Sequence, residues 1–259
     1  MKFKKLLSVA VAGLIALAAG QAFADSHPLR VGVEGAYPPF SWKEADGTLK
    51  GFDIDIAYAV CEKLGRECVL VEQDWDGMIP ALLAKKFDVI IASMSITPER
   101  KKKIDFSNKY YDTPAKLIAK AGTSLMDSNA SLAGKRVGVQ RGTIHQCYVE
   151  KFFPDAELVM YGTQEEVFQD LASGRLDAQL SDSIQGQEGF LATDAGKGFA
   201  FMGGDQNDVE CMGEGAGISM RKGSDALLTS INNAIQAIRA DGSYEKINNM
   251  YFPFDIYGG

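Results

Sequence analysis

The chain has 259 residues, enough for one large domain or two modest ones around a sizeable core. A hydrophobic fraction of 46%, with only 4 Cys and 8 Pro, excludes a disordered, collagen-like or disulfide-miniprotein chain. The formal charge of −7 argues against a nucleic-acid binder, which needs a strongly basic face.

The chain opens with an address. Lys2, Lys4 and Lys5 form a positive end, and Leu6 to Ala19 is uncharged and mostly apolar. Ala22-Phe23-Ala24 places small residues where a signal peptidase reads them. This pattern predicts a secretory signal over residues 1–24. The run is too short for a comfortable membrane anchor, and no Cys follows it for lipid attachment. A soluble, exported, periplasmic protein is expected. In an oxidising compartment Cys61 and Cys68 read as a disulfide, since a metal site would want CxxC or nearby His. Cys147 and Cys211 either pair or stay as buried thiols.

Leu29 to Glu34 alternates and is β-branched, which predicts a strand. The loop Gly35 to Phe40 ends it, stiffened by Pro38 and Pro39. Asp53 to Leu64 carries Ile56, Val60 and Leu64 at helical spacing, with Gly65 as the stop. Val69 to Val71 reads as a strand, Trp75 to Lys85 as a helix, and Phe87 to Met94 as a strand buried on both faces. Thr97-Pro98-Glu99 starts a helix, with a hydroxyl cap, Pro at the first position and an acid in the first turn. Further strands are expected at Lys116–Ala119, Arg136–Val139, Leu158–Tyr161, Leu176–Leu180 and Ala216–Met220. Helices are expected at Gly142–Phe153, Gln164–Ala172 and Ser183–Leu191. Ser224 should cap a long helix with Leu227, Leu228, Ile231, Ile235 and Ile238 on one face, ended by Asp241-Gly242. A short amphipathic helix and Tyr251-Phe252-Pro253-Phe254 close the chain. Alternating strands and helices argue an α/β protein with mainly parallel sheets. No repeat or linker marks a single cut between domains, as expected of two lobes crossed more than once by the chain.

Enzyme signatures are missing. The two histidines, His27 and His145, are far apart in the chain, and HExxH is absent. There is no GxSxG elbow and no Walker loop. Gly213-Glu214-Gly215-Ala216-Gly217 precedes a strand and so reads as a hinge, not a dinucleotide fingerprint. No catalytic residue, cofactor or metal is assigned.

In open α/β sheets ligands sit at the carboxyl ends of strands. Those ends carry Glu34 with Tyr37, Ser93 and Ser95 with Arg100, then Arg141, Thr143 and His145, and finally Asp182. A guanidinium at a helix start, beside hydroxyls and free amides, is a carboxylate trap. Glu34 and Asp182 could each take a cation. One carboxylate trap and two cation sites describe a dibasic α-amino acid. Each residue also has a plain reading. Arg100 opens the solvated run Arg100 to Lys103, strand-end acids cap helices, Tyr37 and Trp75 suit a core or rim, and His145 suits a helix face.

Several motifs occur in order: Gly35-Ala36-Tyr37-Pro38-Pro39-Phe40, Gly51-Phe52-Asp53-Ile54-Asp55, Ser93-Met94-Ser95-Ile96-Thr97-Pro98-Glu99-Arg100 and Ile104-Asp105-Phe106-Ser107. Gly138 to Thr143, Gly174-Arg175-Leu176-Asp177-Ala178 and Tyr251-Phe252 follow. Together they resemble the periplasmic amino-acid-binding proteins of ABC importers, in particular the lysine/arginine/ornithine- and histidine-binding group. The resemblance spans the whole exported part. It implies a two-lobe α/β fold with the ligand cleft between lobes joined by two crossing strands. Residues 25–112 and 216–259 would form one lobe and 113–215 the other.

The resemblance also implies roles. Arg100 would pair with the ligand α-carboxylate, helped by amides near Ser95 and Thr143 or Ile144. Asp182 and the Ser93–Ser95 region would hold the α-ammonium. Glu34 would meet the side-chain cation, with Tyr37 and Trp75 flanking the stem. The group often has Asp at Glu34, Phe at Trp75, Ser at Ala92 and Leu at Gln140. It often has Thr or Ser at Ile144, and His145 stands for a Gln. Gln140, Ile144 and His145 are counted with the ligand-binding positions. Trp offers the best face for a planar guanidinium, which makes arginine the first expectation, then lysine and ornithine. Histidine or an opine is the alternative, and a dehydratase on the same fold a remoter one. The expected partners are a small cationic amino acid and an inner-membrane ABC permease, with the protein itself a monomer. The Cys61–Cys68 pair also matches a disulfide common in the group.

Overall fold

The computed structural model describes residues 27–258, so the predicted signal at 1–24 lies outside the described residues. Strand β1 (Leu29–Val33) is followed by three short strands, β2 (Ala36–Tyr37), β3 (Ser41–Lys43) and β4 (Leu49–Lys50), which form a small antiparallel sheet. Helix α1 (Phe52–Leu64), strand β5 (Cys68–Glu72), helix α2 (Met78–Leu83), strand β6 (Val89–Ile90), helix α3 (Pro98–Lys101) and strand β7 (Ile104–Tyr111) come next. The chain continues through β8 (Ala115–Lys120), α4 (Asn129–Leu132), β9 (Arg136–Gln140), α5 (Ile144–Phe152), β10 (Glu157–Tyr161), α6 (Gln164–Ala172), β11 (Ala178–Asp182) and α7 (Ser183–Gly186). It ends with β12 (Phe199–Gln206), β13 (Ala216–Arg221), α8 (Asp225–Ala240) and α9 (Ser243–Tyr251).

Two five-stranded sheets organise these elements, in the orders β5-β1-β6-β13-β7 and β10-β9-β11-β8-β12. In each, three neighbouring strands run parallel, and the last two join antiparallel. Each sheet is therefore less parallel than βαβ alternation alone suggests. The chain passes between the sheets twice, from β7 to β8 and from β12 to β13. Both sheets are buried on two faces, which explains their Val- and Ile-rich centres. In the first lobe α1, α8 and α9 cover one face around Phe52, Ile56, Ile218 and Ile235. Met78, Leu82, Phe87 and Ile90 fill the other. In the second lobe Val137, Val139, Tyr148 and Leu180 form one core, and Val167, Phe168, Leu171 and Phe190 the other.

Local chemistry fixes the ends of several elements. Gly65 closes α1 in the left-handed conformation, as its lack of a Cβ permits. Thr97 caps α3 by accepting from the Arg100 amide. Thr143 and Thr163 cap α5 and α6 in the same way. Ser224 differs: it stands before α8 but its side chain makes no capping bond. The expected helix over Trp75–Lys85 begins as a tight turn, Trp75–Gly77, and is α-helical only over α2. The expected helix after Asp182 is α7 continued by a wider turn, Gln187–Leu191.

The expected strand Phe87–Met94 pairs only at Val89–Ile90, because the chain turns at Ser93 while its apolar residues stay in the core. Five strands went unpredicted: the short β2, β3 and β4, set in a stretch that reads as loop and turn, and the longer β7 and β12. β7 lacks clean alternation, with Asn108 exposed and Ser107 buried. β12 is an edge strand carrying Gly203, Gly204 and Asp205, so it reads as a loop. The Gly-rich stretch leading into β13 also meets a steric demand. A Cβ at Gly213, whose φ is +79°, would stand 2.4 Å from the Ile96 carbonyl oxygen.

Cys61 at the end of α1 is bonded to Cys68 at the start of β5, with a Cα separation of 5.6 Å. Cys147 and Cys211, left open by the sequence, are also bonded, at 5.5 Å. The second bridge ties α5 to the crossing segment before β13.

Candidate functional site

One cavity of about 360 Å³ opens between the two sheets, and all eleven ligand-binding candidates line it. Arg141, also at a strand end, does not; it is exposed and pairs with Asp76 at 3.4 Å.

Arg100 enters from the last residues of α3. Its Nη1 donates to the Ser95 carbonyl at 3.0 Å, and its Nη2 lies 3.4 Å from the Gly142 carbonyl of the other lobe. Its guanidinium carbon stands 5.3 Å from the centroid of the Trp75 ring. Trp75 thus holds the protein's own guanidinium. Burial pushes Arg100 down to about 10, which leaves it fully charged. No carboxylate pairs with it among the described residues. Facing it is the start of α5, whose first amides lack intrahelical acceptors. The Thr143 hydroxyl donates to the Gln140 carbonyl at 2.7 Å and caps this helix. His145, 4% exposed, has neither ring nitrogen bonded. Burial, and then the Arg100 charge, press it down to about 3, so the ring is neutral near pH 7.

Glu34 lies just beyond β1 and is 8% exposed. Its Oε1 accepts from Gln140 Nε2 at 2.6 Å, across 106 residues and from one lobe to the other. The same nitrogen donates to the Gly162 carbonyl at 3.1 Å. Burial pushes Glu34 up to about 7, opposed by the Gln140 bond. Among the described residues it has no ion pair. Tyr37, half-buried beside it in sequence, is pushed well above its usual value by burial and then by Asp182.

Asp182 ends β11 and caps α7. Its Oδ1 accepts from the Ile184 and Gln185 amides at 2.8 and 3.1 Å, and its Oδ2 from the Thr113 hydroxyl. The plain capping reading of this acid is therefore realised, while the carboxylate still lines the cavity. Burial pushes it up to about 6 against these bonds. The Ser93 hydroxyl donates to Asp53 Oδ2 at 2.8 Å, and Ser93 also lines the cavity.

Three residues of this region were not singled out from the sequence: Asp53, Tyr110 and Thr113. A signal existed for Asp53. It is an acid set between Phe52 and Ile54 at a helix start, and both neighbours are fully buried. No cluster of His, Cys, Asp or Glu suited to a metal occurs among the described residues. No helix among them is long and apolar enough to cross a membrane.

Residues 29–254 match the profile of the bacterial extracellular solute-binding proteins, family 3. The chain is similar to the L-arginine-binding protein of Pseudomonas aeruginosa, with 50% identity over 238 residues, 91% of this chain and 92% of the relative. It is 39% identical over 257 residues to the lysine/arginine/ornithine-binding periplasmic protein of Escherichia coli, covering 98% of this chain and 99% of that one. Among solved structures it resembles an ancestral arginine-binding protein bound to arginine. The TM-score is 0.80 at 39% identity, over 87% of this chain and 98% of the other.

Proposed function

The chain belongs to the bacterial extracellular solute-binding proteins, family 3, and on that premise we propose that it captures a cationic amino acid between its lobes. Arginine is the first choice, then lysine and ornithine. The protein works in the periplasm as a monomer, after loss of residues 1–24, and delivers its ligand to an inner-membrane ABC permease. The lobes divide near residues 112/113 and 215/216, a placement supported by the two passages between sheets.

One observation carries this reading. The buried Glu34 carboxyl and the half-buried Arg100 guanidinium stand on the same cavity, and neither has an ion partner among the described residues. Charges withdrawn from water without a partner are costly, so a ligand that pairs both is favoured. An α-amino acid with a distal cation does so. Its carboxylate meets Arg100, the first amides of α5 and His145, whose bare nitrogens can donate one bond. Its ammonium meets Asp182 and the Ser93–Ser95 rim. Its distal cation meets the Glu34 oxygen that Gln140 does not use, with Tyr37 alongside the stem.

Closure follows from the same contacts. Ser95 and Arg100 belong to one lobe and Thr143 and Asp182 to the other, so the ligand favours the arrangement in which both reach it. A calorimetric panel of the twenty amino acids with octopine and nopaline tests the reading. Arginine should bind at least as tightly as lysine or ornithine, with glutamine and glutamate poor. Preference for glutamine or an aliphatic amino acid would show that Glu34 is not the distal-cation site, and preference for histidine or an opine would replace the ligand while keeping the frame.

A further inference from the structure

Beneath the cleft lies a carboxylate to which the ligand reading gives no role. Asp53, in the first turn of α1, is fully buried. Its Oδ1 accepts from the Tyr110 phenol at 2.7 Å, and its Oδ2 from the Ser93 hydroxyl at 2.8 Å. The Ser93 amide donates to the same phenol oxygen at 3.1 Å. Three residues from α1, β7 and the segment leaving β6 thus close a ring of hydrogen bonds. Among the described residues no cation pairs with Asp53.

The ring centres on a backbone that needs holding. Ser93 has φ +56°, a left-handed conformation that a residue with a Cβ avoids. Such outliers persist where surrounding bonds over-determine them, and they gather at functional sites. Here the turn redirects the chain. Met94 goes into the core, with its carbonyl accepting from the Gly217 amide. Ser95 bridges to Ala216, and its carbonyl accepts from Arg100 Nη1. The contacts run in one line from Asp53 through Ser93 to the carbonyl that aims Arg100.

The chemistry of the residue type supports this line. Both hydroxyls donate, so the centre of the ring must accept twice, once on each oxygen. A carboxylate does so, whereas an amide has only one accepting atom, its other terminal atom being a donor. Burial pushes Asp53 up to about 7 against the two hydroxyl bonds, so an acid here is an expensive choice for packing alone.

We infer that Asp53 is a positioning residue of the binding cleft, holding Ser93 left-handed and thereby setting the Ser95 carbonyl and Arg100 for the ligand carboxylate. The inference rests on the proposed amino-acid site, so its test has one arm that needs no ligand.

The ligand arm is a cycle of Asp53→Asn, Ser93→Gly and the double variant in the full mature chain, read as arginine affinity by calorimetry. Glycine takes positive φ without help. Asp53→Asn alone should weaken arginine at least tenfold, and in the Ser93→Gly background it should cost less than threefold. Tyr110→Phe, which removes one donor and little volume, should show a smaller loss in the same direction and serves if Asp53→Asn fails to fold. An undiminished Asp53→Asn loss in the Ser93→Gly background would overturn the inference, as would affinity within twofold of wild type. The second arm is crystal structures of the free Asp53→Asn and Tyr110→Phe proteins. Ser93 moving out of the left-handed region, or the Ser95–Arg100 bond breaking, supports the inference even if no amino acid binds the wild type. An unchanged Ser93 and an unchanged Arg100 in both variants refute it. A wild-type protein that binds no amino acid refutes the proposed function instead.

Discussion

The Arg100 and Glu34 regions of the cleft solve the same electrostatic problem with opposite means. Arg100 is a half-buried cation held by carbonyls and an aromatic face. Glu34 is a buried anion held by one amide from the other lobe. Carbonyls and a ring orient a guanidinium without neutralising it, and an amide does the same for a carboxylate. Each region is thus preorganised for an opposite charge that the protein does not supply. The regions differ in generality. Every amino acid has the carboxylate that Arg100 wants, but only a few have the distal cation that Glu34 wants. The first region should decide whether an amino acid binds, and the second which one.

The sharpest way to break this contrast is Arg100→Ala. It leaves the ligand carboxylate buried and unpaired, at about 3–5 kcal/mol by analogy with broken buried pairs. All amino acids should weaken together, by roughly a hundredfold to several thousandfold. Arg100→Lys should also fail badly, since the forked donor is lost. Calorimetry on a cationic and a neutral ligand checks both variants; a loss confined to cationic ligands would erase the distinction between the regions.

A second contrast is covalent. The Cys147–Cys211 bridge clamps α5, whose first turn faces Arg100, to the crossing segment before β13. Its sequence separation is 64, against 7 for Cys61–Cys68. The chain-entropy model then gives about 4 kcal/mol for the longer loop and about 2.5 kcal/mol for the shorter. Cys147→Ser with Cys211→Ser should therefore lower the denaturant midpoint more than Cys61→Ser with Cys68→Ser. It should also weaken all amino acids alike, with the arginine-to-lysine ranking unchanged. A changed ranking would tie this bridge to side-chain recognition.

Glu34→Gln probes the other region. A charge-assisted bond contributes about 1.5–3 kcal/mol, so arginine should weaken by roughly tenfold to a hundredfold. Neutral amino acids should change little. Acidity should mimic the variant. Burial raises Glu34 from 4.5 to about 7, and a cation needs it ionised. Arginine affinity should climb as pH rises through about 7, level off above, and fall by up to tenfold per unit below. The Asp182 carboxyl, raised to about 6, continues the decline at lower pH. Glu34→Gln should flatten the step near 7, and calorimetry between pH 5.5 and 8.5 reads it.

The smallest expected effect has the opposite sign. The folded protein holds the Glu34 proton more tightly than the unfolded chain, so this group's stabilising contribution is full below 4.5 and is lost as pH rises to about 7. Free Glu34→Gln should melt above wild type at pH 8, and the gap should close toward pH 4.5. A variant that melts below wild type at pH 8 would mean that the Gln140 contact outweighs the buried charge.

How far the sequence could be read follows the reach of each interaction. β1, α1 and α5 are written in local periodicity, and Thr97, Thr143 and Gly65 mark ends because capping is a contact over a few residues. The eleven site candidates were reachable because α/β sheets gather strand ends on one side, and all of them line one cavity. The edge strand β12 and the mixed strand β7 lack a local signature, so they were missed. Glu34 to Gln140 and Asp53 to Ser93 and Tyr110 are contacts over 106, 40 and 57 residues. Nothing in the spacing of these residues announces them. The same distance hid the Asp53 ring and left the pairing of Cys147 with Cys211 open.

The central claim is that Arg100 admits amino acids while Glu34 selects cationic ones. Calorimetric titration of arginine and glutamine into wild type and Glu34→Gln at pH 8 tests it most directly. Wild type should bind arginine far more tightly than glutamine, and Glu34→Gln should bring the two affinities toward each other chiefly by weakening arginine. Wild type that prefers glutamine, or a Glu34→Gln variant that keeps the full preference for arginine, would contradict it.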